Sequence, residues 1–258
     1  MTLSSQLEKV MGDTDKTAKP KYLVFIPVHQ GAKTIGRVML KLAKLPMEFD
    51  VLVVDNNSQD STLEVVKSVI KEHNLKGYHL IRNIANLGYG GSQKVALFFG
   101  IYNGYDRLMI IHADDQYPVE YIPKLVEFHS QRNAAMSLGT RLKHPDIKKV
   151  MPMWRFVINS TVSAMNNWVY GLKLDEWNSE FRLYDLKFMK DVDIDACGNS
   201  SNYTLDSLLA IKLKGGLIDQ MMIPCAYPPD AHHPAFWDSL FYGFHNGFRA
   251  MKYVFFKR

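Results

Sequence analysis

The stretch LMIIHADDQYP, residues 108–118, places an imidazole, two adjacent carboxylates and an amide within five positions, His112 to Gln116. The apolar run before them has the pattern of a buried strand, which the chain must leave before Pro118. Two neighbouring carboxylates at such a junction repel each other and lose solvation, so they require a positive partner. If the strand continues through them, His112 and Asp114 share one of its faces. Other chemistry-bearing residues fall at comparable places. Asp55 closes the strand-like DVLVVD (50–55), and Pro27 stands near the end of YLVFIPV (22–28). Gly88, Gly90 and Gly91, in LGYGGSQKVA (87–96), lie between a strand and a helix. They either let backbone amides approach a diphosphate or simply make a tight turn, and both readings stay open. The common nucleotide fingerprints fit poorly. Gln93 stands where the dinucleotide pattern needs its third glycine, and no Gly-Lys-Ser/Thr triplet forms a phosphate loop.

The elements that must position these residues alternate. Strand signals at 22–28, 50–55, 78–83, 107–113 and 134–140 are separated by amphipathic helical stretches at 34–45, 60–73, 91–105 and 118–129. That alternation predicts an α/β fold, with a mostly parallel sheet covered by helices on both faces. Ligands in such folds gather at the carboxyl ends of strands, where Asp55 and Asp114 are expected to lie. The second half predicts a long helix over 152–170, an irregular stretch LDEWNSEFRLYD (174–185), a helix over 204–214 and a strand over 216–224. The expected organisation is a polar lead-in (1–20) and one catalytic domain (21–233), with a nucleotide-binding half (21–141) and an acceptor-side half (142–233). A C-terminal helix (234–258) completes it.

Composition bounds the function. With 258 residues, 47% of them hydrophobic, the chain can bury one sizeable core. A formal charge of +5 suits phosphorylated small molecules or an anionic membrane surface, and no interleaved basic and aromatic pattern marks a nucleic-acid module. Cys197 and Cys225 lack metal-type spacing, which suits a reducing, cytoplasmic setting. No stretch reaches the roughly 18 uninterrupted apolar residues of a membrane span.

Six motifs in order carry a resemblance: FIPVHQGAKTI, VLVVDNNSQDST, IRNIANLGYGGSQKVA, IIHADDQYPVEYIPKL, LGTRL and EWNSEFRLY. Over about residues 22–190 the chain resembles the family 2 glycosyltransferases, and within them the dolichyl- and polyprenyl-phosphate mannose or glucose synthases. The resemblance implies a GT-A fold, a nucleotide-diphosphate sugar donor of the GDP-mannose or UDP-glucose type, and Mg²⁺ or Mn²⁺. It also implies inverting transfer of one hexose to a polyprenyl or dolichyl phosphate. By this resemblance Asp114 is the metal-binding acid and Gln116 the amide beside it, while Asp55, Pro27 and His29 surround the donor base. Arg141 and Arg182 match arginines that meet a phosphate, a role suited to guanidinium.

Two departures stand out. His112 replaces the first acid of the Asp-x-Asp motif, so it could meet the ribose or a phosphate, or bind Mn²⁺ through nitrogen, with Asp115 supplying part of the missing charge. Glu176 stands for the aspartate of the Asp-x-x-Ser-Gly-Phe-Arg motif, and Glu180 replaces its glycine. A phosphate acceptor needs no protein base; a hydroxyl acceptor on a glycan or small molecule does, and Asp175, Glu176 and Glu180 are then the candidates. A catalytically silent nucleotide-sugar binding module is the third reading.

The ending adds two expectations. His232 and His233 either reach the metal or sit at the surface of a Pro-rich loop. Trp237, Phe241, Phe244, Phe248, Met251 and Phe255 form one aromatic helix face with Arg249, Lys252, Lys257 and Arg258 around it. That helix either lies in a membrane interface, giving peripheral attachment at a cytoplasmic membrane face, or packs on the domain or a second subunit.

Overall fold

The computed structural model describes residues 20–224 and residue 226. The lead-in before residue 20, Cys225, His232, His233 and the expected helix over 234–258 lie outside the described residues.

The strands are β1 (Tyr22–Val28), β2 (Asp50–Asp55), β3 (Tyr78–Arg82), β4 (Arg107–Ile110), β5 (Met136–Thr140), β6 (Arg182–Asp185) and β7 (Ile218–Met222). They form one seven-stranded sheet in the order β3-β2-β1-β4-β6-β5-β7. Among these strands, β6 alone runs against its neighbours, β4 and β5. The helices are α1 (Ile35–Leu42), α2 (Thr62–Glu72), α3 (Gly88–Tyr102), α4 (Ile122–Arg132), α5 (Ile147–Val150), α6 (Met153–Tyr170), α7 (Leu186–Met189) and α8 (Tyr203–Leu213).

The central strands are apolar at nearly every position because both sheet faces are covered. Leu23 and Phe25 of β1, Leu52 and Val54 of β2, and Leu108 and Ile110 of β4 enter one core, together with Tyr184 and Leu186. Their alternating neighbours, Val24, Ile26, Val51, Val53, Met109 and Ile111, enter the other with Ile35, Val38, Met39 and Leu42 of α1. A period of two directs successive side chains to opposite faces, and each face finds a helix layer.

The predicted alternation is present, with three differences. α3 begins at Gly88, earlier than expected, so the glycine cluster forms its first turn. β4 ends at Ile110, and residues 111–118 are loop. The strand rule that paired His112 with Asp114 therefore does not apply. The stretch expected to be irregular contains β6, which is short, begins with arginine and ends with aspartate. It is tolerated inside the sheet, between β4 and β5, because its charged ends are partnered: Asp185 accepts from Phe188 N at 3.0 Å and faces Arg107 at 3.1 Å.

β1 lies between β2 and β4, where the chain connections diverge, the place where open α/β sheets leave a crevice. β6 sharpens the geometry. Running opposite to β4, it brings its amino-terminal approach, residues 178–181, to the edge reached by the carboxyl ends of β1, β2 and β4. Ile110 pairs with Arg182 at that edge.

Candidate active site

A cleft of about 810 Å³ opens at this edge, within the range of pockets that enclose a small molecule. Its lining comes from the ends of five strands: Pro27, next to last in β1, and His29 just after it, Asn56 after β2, Gly88 and Tyr89 after β3, His112, Asp114 and Gln116 after β4, and Arg141 after β5. Asn178 and Glu180, preceding β6, close it, and Lys33 joins from the turn before α1. Fold topology alone brings these distant residues together.

Asp114 and Asp115, adjacent in sequence, part company. Asp114 lines the cleft, and its Oδ1 accepts from Gln116 N at 3.1 Å, which fixes the turn. Asp115 has a left-handed backbone, φ 61°, a conformation that aspartate tolerates better than most residues. Its buried carboxylate is held by Arg37 Nε at 2.8 Å and Lys41 Nζ at 2.7 Å. Arg37 and Lys41 are four residues apart on α1 and so share a face. The structure turns Asp115 toward α1, where its positive partners are Arg37 and Lys41.

Asp114, Gln116 and His112 present oxygen and nitrogen donors to one cleft. Among the described residues, no group of three His, Cys, Asp or Glu side chains is arranged to hold a metal ion unaided. The donor set fits Mg²⁺ or Mn²⁺ completed by water and substrate phosphates, since Mg²⁺ is commonly held by one or two carboxylates with phosphates rather than in a protein cage.

The opposite wall is built from charges that satisfy one another. Glu176 is wholly buried; it accepts from Arg141 N at 2.8 Å and from Arg141 Nε at 3.1 Å, and Arg141 Nη2 completes the fork. Arg141 also lies over the Tyr117 ring, 5.2 Å from its centroid. The family-derived arginine is thus at the cleft, and Glu176 orients it. Arg182 is not at the cleft. It is fully buried, with Nε donating to Ser179 O at 2.8 Å, Nη1 to Thr204 O at 3.2 Å and Ser207 Oγ at 3.0 Å, and Nη2 to Trp177 O at 3.3 Å. Burial opposes its charge, but the Glu180 carboxylate and Tyr184 outweigh that and hold its pKa above the ordinary guanidinium value. The structure places Arg182 behind the cleft lining, with its donors directed to backbone carbonyls and the hydroxyls of Ser207 and Tyr184.

Glu180 lines the cleft yet is heavily engaged. Tyr89 Oη and Thr204 Oγ1 both donate to it, and Arg182 Nε lies 3.4 Å away. Burial first, then the adjacent Glu180 charge, raise the Tyr89 phenol well above its usual pKa, so it keeps its proton. The same Tyr89 oxygen lies 3.1 Å from His112 Nε2. Edge-on rings of Tyr89 and Tyr117, with centroids 5.5 and 5.7 Å from His112, flank the imidazole.

Asp55 is fully buried beneath the lining: its Oδ1 accepts from Ser58 N at 3.0 Å, and Oδ2 faces Arg82 Nε at 3.5 Å. Asp55 thus lies below the cleft surface, and Asn56 is the β2-end residue on its lining. Asn56 Oδ1 accepts from Leu87 N and Asn83 Nδ2, both at 2.9 Å, tying the β2 and β3 loops together. The glycines also divide. Gly88, φ 75°, lines the cleft, whereas a Cβ on Gly90 would collide with Gly198 O and one on Gly91 would lie 2.6 Å from the Leu87 Cβ. Close packing against residues 198–199 thus accounts for Gly90. Sequence reasoning passes over Lys33, Asn56, Tyr89, Tyr117 and Asn178. The signal for Asn56 is its place directly after a strand; the others carry none beyond polarity.

Comparison with known proteins agrees with this geometry. Glycosyl transferase family 2 matches residues 23–193, and the chain belongs to that family. Undecaprenyl-phosphate mannosyltransferase of Micrococcus luteus is 28% identical over 177 residues, covering 68% of this chain and 71% of its own. Dolichol-phosphate mannosyltransferase of Saccharomyces cerevisiae is 30% identical over 152 residues, covering 56% and 54%. A mannosyltransferase from Pyrobaculum calidifontis, solved with GDP-Man and Mn²⁺, superposes with a TM-score of 0.61 at 15% identity, over 91% of this chain and 66% of that one. The chain therefore spans about two thirds of that solved protein. At such identity the likeness establishes the fold, a GT-A-like α/β sheet.

Proposed function

We propose that this chain is an inverting hexosyltransferase that moves one sugar from a nucleotide-diphosphate donor to a polyprenyl or dolichyl phosphate. The carrying observation is the placement of Asp114, Gln116, His112, Lys33 and Arg141 around one cleft at the strand carboxyl ends. Pro27, His29 and Asn56 would hold the nucleoside end. Asp114, with Gln116 and His112, would hold Mg²⁺ or Mn²⁺, which when bound would neutralise the departing diphosphate. Arg141, oriented by Glu176 on the β5–β6 side, and Lys33, from the turn before α1, would stabilise phosphate charge. Catalysis is then positioning and charge stabilisation in a cleft that limits water.

The state of the carboxylates supports a phosphate acceptor over a hydroxyl. Glu176 is locked to Arg141, Glu180 accepts two hydroxyl protons, and Asp175 lies 2.6 Å from Lys143. All three proposed bases are engaged, whereas a phosphate oxygen attacks without one. The relatives named above as undecaprenyl- and dolichol-phosphate mannosyltransferases point the same way.

Among the described residues no helix is long and apolar enough to cross a membrane. Exposed Met153, Val157 and Trp168 follow one face of α6 and suit shallow contact with the surface that carries such an acceptor. The test incubates the protein with GDP-mannose or UDP-glucose and short polyprenyl phosphate, with and without Mn²⁺. Metal-dependent formation of a sugar phosphate lipid is expected; nucleotide-sugar consumption only with hydroxyl acceptors would overturn the assignment.

A further inference from the structure

The two departures from the family pattern, His112 and Glu180, are far apart in sequence and joined in space by one phenol. Tyr89 Oη lies 3.1 Å from His112 Nε2 and donates its proton to Glu180 Oε2. A hydroxyl has one proton to give. With that proton committed to the carboxylate, Tyr89 can only accept from the imidazole, so Nε2 carries a hydrogen, which in the neutral ring leaves the lone pair on Nδ1. Glu180 is itself fixed by Thr204 and Arg182, and the imidazole is flanked by Tyr89 and Tyr117. The orientation therefore passes from the buried Arg182 to a cleft-lining ring beside Asp114.

We propose that Tyr89 and Glu180 are positioning residues for His112, fixing Nδ1 as a nitrogen donor in the cation site and making that site prefer Mn²⁺ to Mg²⁺. The proposal rests on the assignment of the cleft to a metal-bound nucleotide donor. Mg²⁺ favours an all-oxygen shell, whereas Mn²⁺ accepts an imidazole more readily. A partner that fixes the tautomer of a ligating histidine raises its effectiveness as a ligand, and losing that partner typically costs 10–100-fold in metal affinity.

The test uses the full chain with histidine labelled with ¹⁵N at Nδ1, loaded with Mn²⁺ and either GDP or UDP, and reads nitrogen coupling to Mn²⁺ by pulsed paramagnetic resonance. Nδ1 coupling is expected in the parent and absent from His112→Asp. Tyr89→Phe, which keeps the ring, should weaken or abolish the coupling and lower Mn²⁺ affinity by about tenfold without a matching loss for Mg²⁺. Unchanged thermal melting would show that this variant folds. If the parent binds Mn²⁺ and nucleotide without Nδ1 coupling, or if Tyr89→Phe keeps both coupling and metal preference, the inference fails while the donor assignment stands. If neither nucleotide binds with metal, the donor assignment fails and takes the inference with it.

Discussion

The two walls of the cleft use charge in opposite ways. On the β1–β4 side, Asp114, His29 and Lys33 face the opening on loops just beyond strand ends. On the β5–β6 side, Glu176 and Glu180 are buried with Arg182 in the core behind them, and their charges are answered by arginines or the backbone. The first wall is arranged for something that must arrive; on the second, these three groups are answered without it, and Arg141 brings a cation to the cleft lining. Buried ionic groups stay tolerable only while their partners remain, so substitutions there should cost stability, whereas substitutions on the open wall should cost activity.

The sharpest break in that contrast is at Asp114. Asp114→Asn should lower transfer by about 10²–10³-fold with little change in melting temperature, the scale expected for losing a main stabiliser of transition-state charge. Parent-level turnover in that variant would remove the open wall's claim to function. Arg182→Leu should behave inversely: with Glu180 and several carbonyls abandoned in the core, denaturant titration should register a loss of about 3–5 kcal/mol or failure to fold. A well-folded variant defective only in acceptor affinity would instead return Arg182 to phosphate binding.

A buried group outside both walls calibrates the comparison. His129, against Ser137 Oγ at 2.8 Å, has its pKa lowered to about 4 by burial and then by the Arg107 charge. The unfolded chain, with an ordinary value near 6.5, binds the proton first. This contribution to stability is therefore intact above about pH 6.5 and lost as pH falls toward 4, by about 2–3 kcal/mol. Stability measured against pH should flatten over that window in His129→Gln. The smallest effect is at Asp115. Arg37→Ala with Lys41→Ala leaves its carboxylate unpaired, yet both cations are about half exposed, so a cost of about 1–2 kcal/mol is expected. Metal-dependent nucleotide binding should survive; its loss would show that Asp115 serves the site after all.

Much of the sheet is legible in the sequence. β1 and β2 can be read at both ends because apolar residues stand at nearly every position and both faces are buried. β6 cannot, since it is four residues long and its two charged ends take partners distant in sequence, the Ser207 hydroxyl and Arg107. The site divides similarly. His112, Asp114, Gln116, Arg141 and Gly88 all line the cleft. Arg182, Asp55 and Asp115 carry the same residue chemistry but have other partners, and nothing in their local sequence distinguishes them.

By itself the sequence determined the alternating elements, the two-sided core and the set of residues able to bind phosphate and metal, because periodicity and residue chemistry are local properties. Tertiary structure alone decided which charges face the cleft and which face each other. That choice depends on distances between residues far apart in the chain: Asp115 finds α1, Arg182 finds the carbonyls before and within α8, and Tyr89 joins His112 to Glu180. Desolvation makes each such meeting decisive, since a buried charge persists only where the fold supplies its partner.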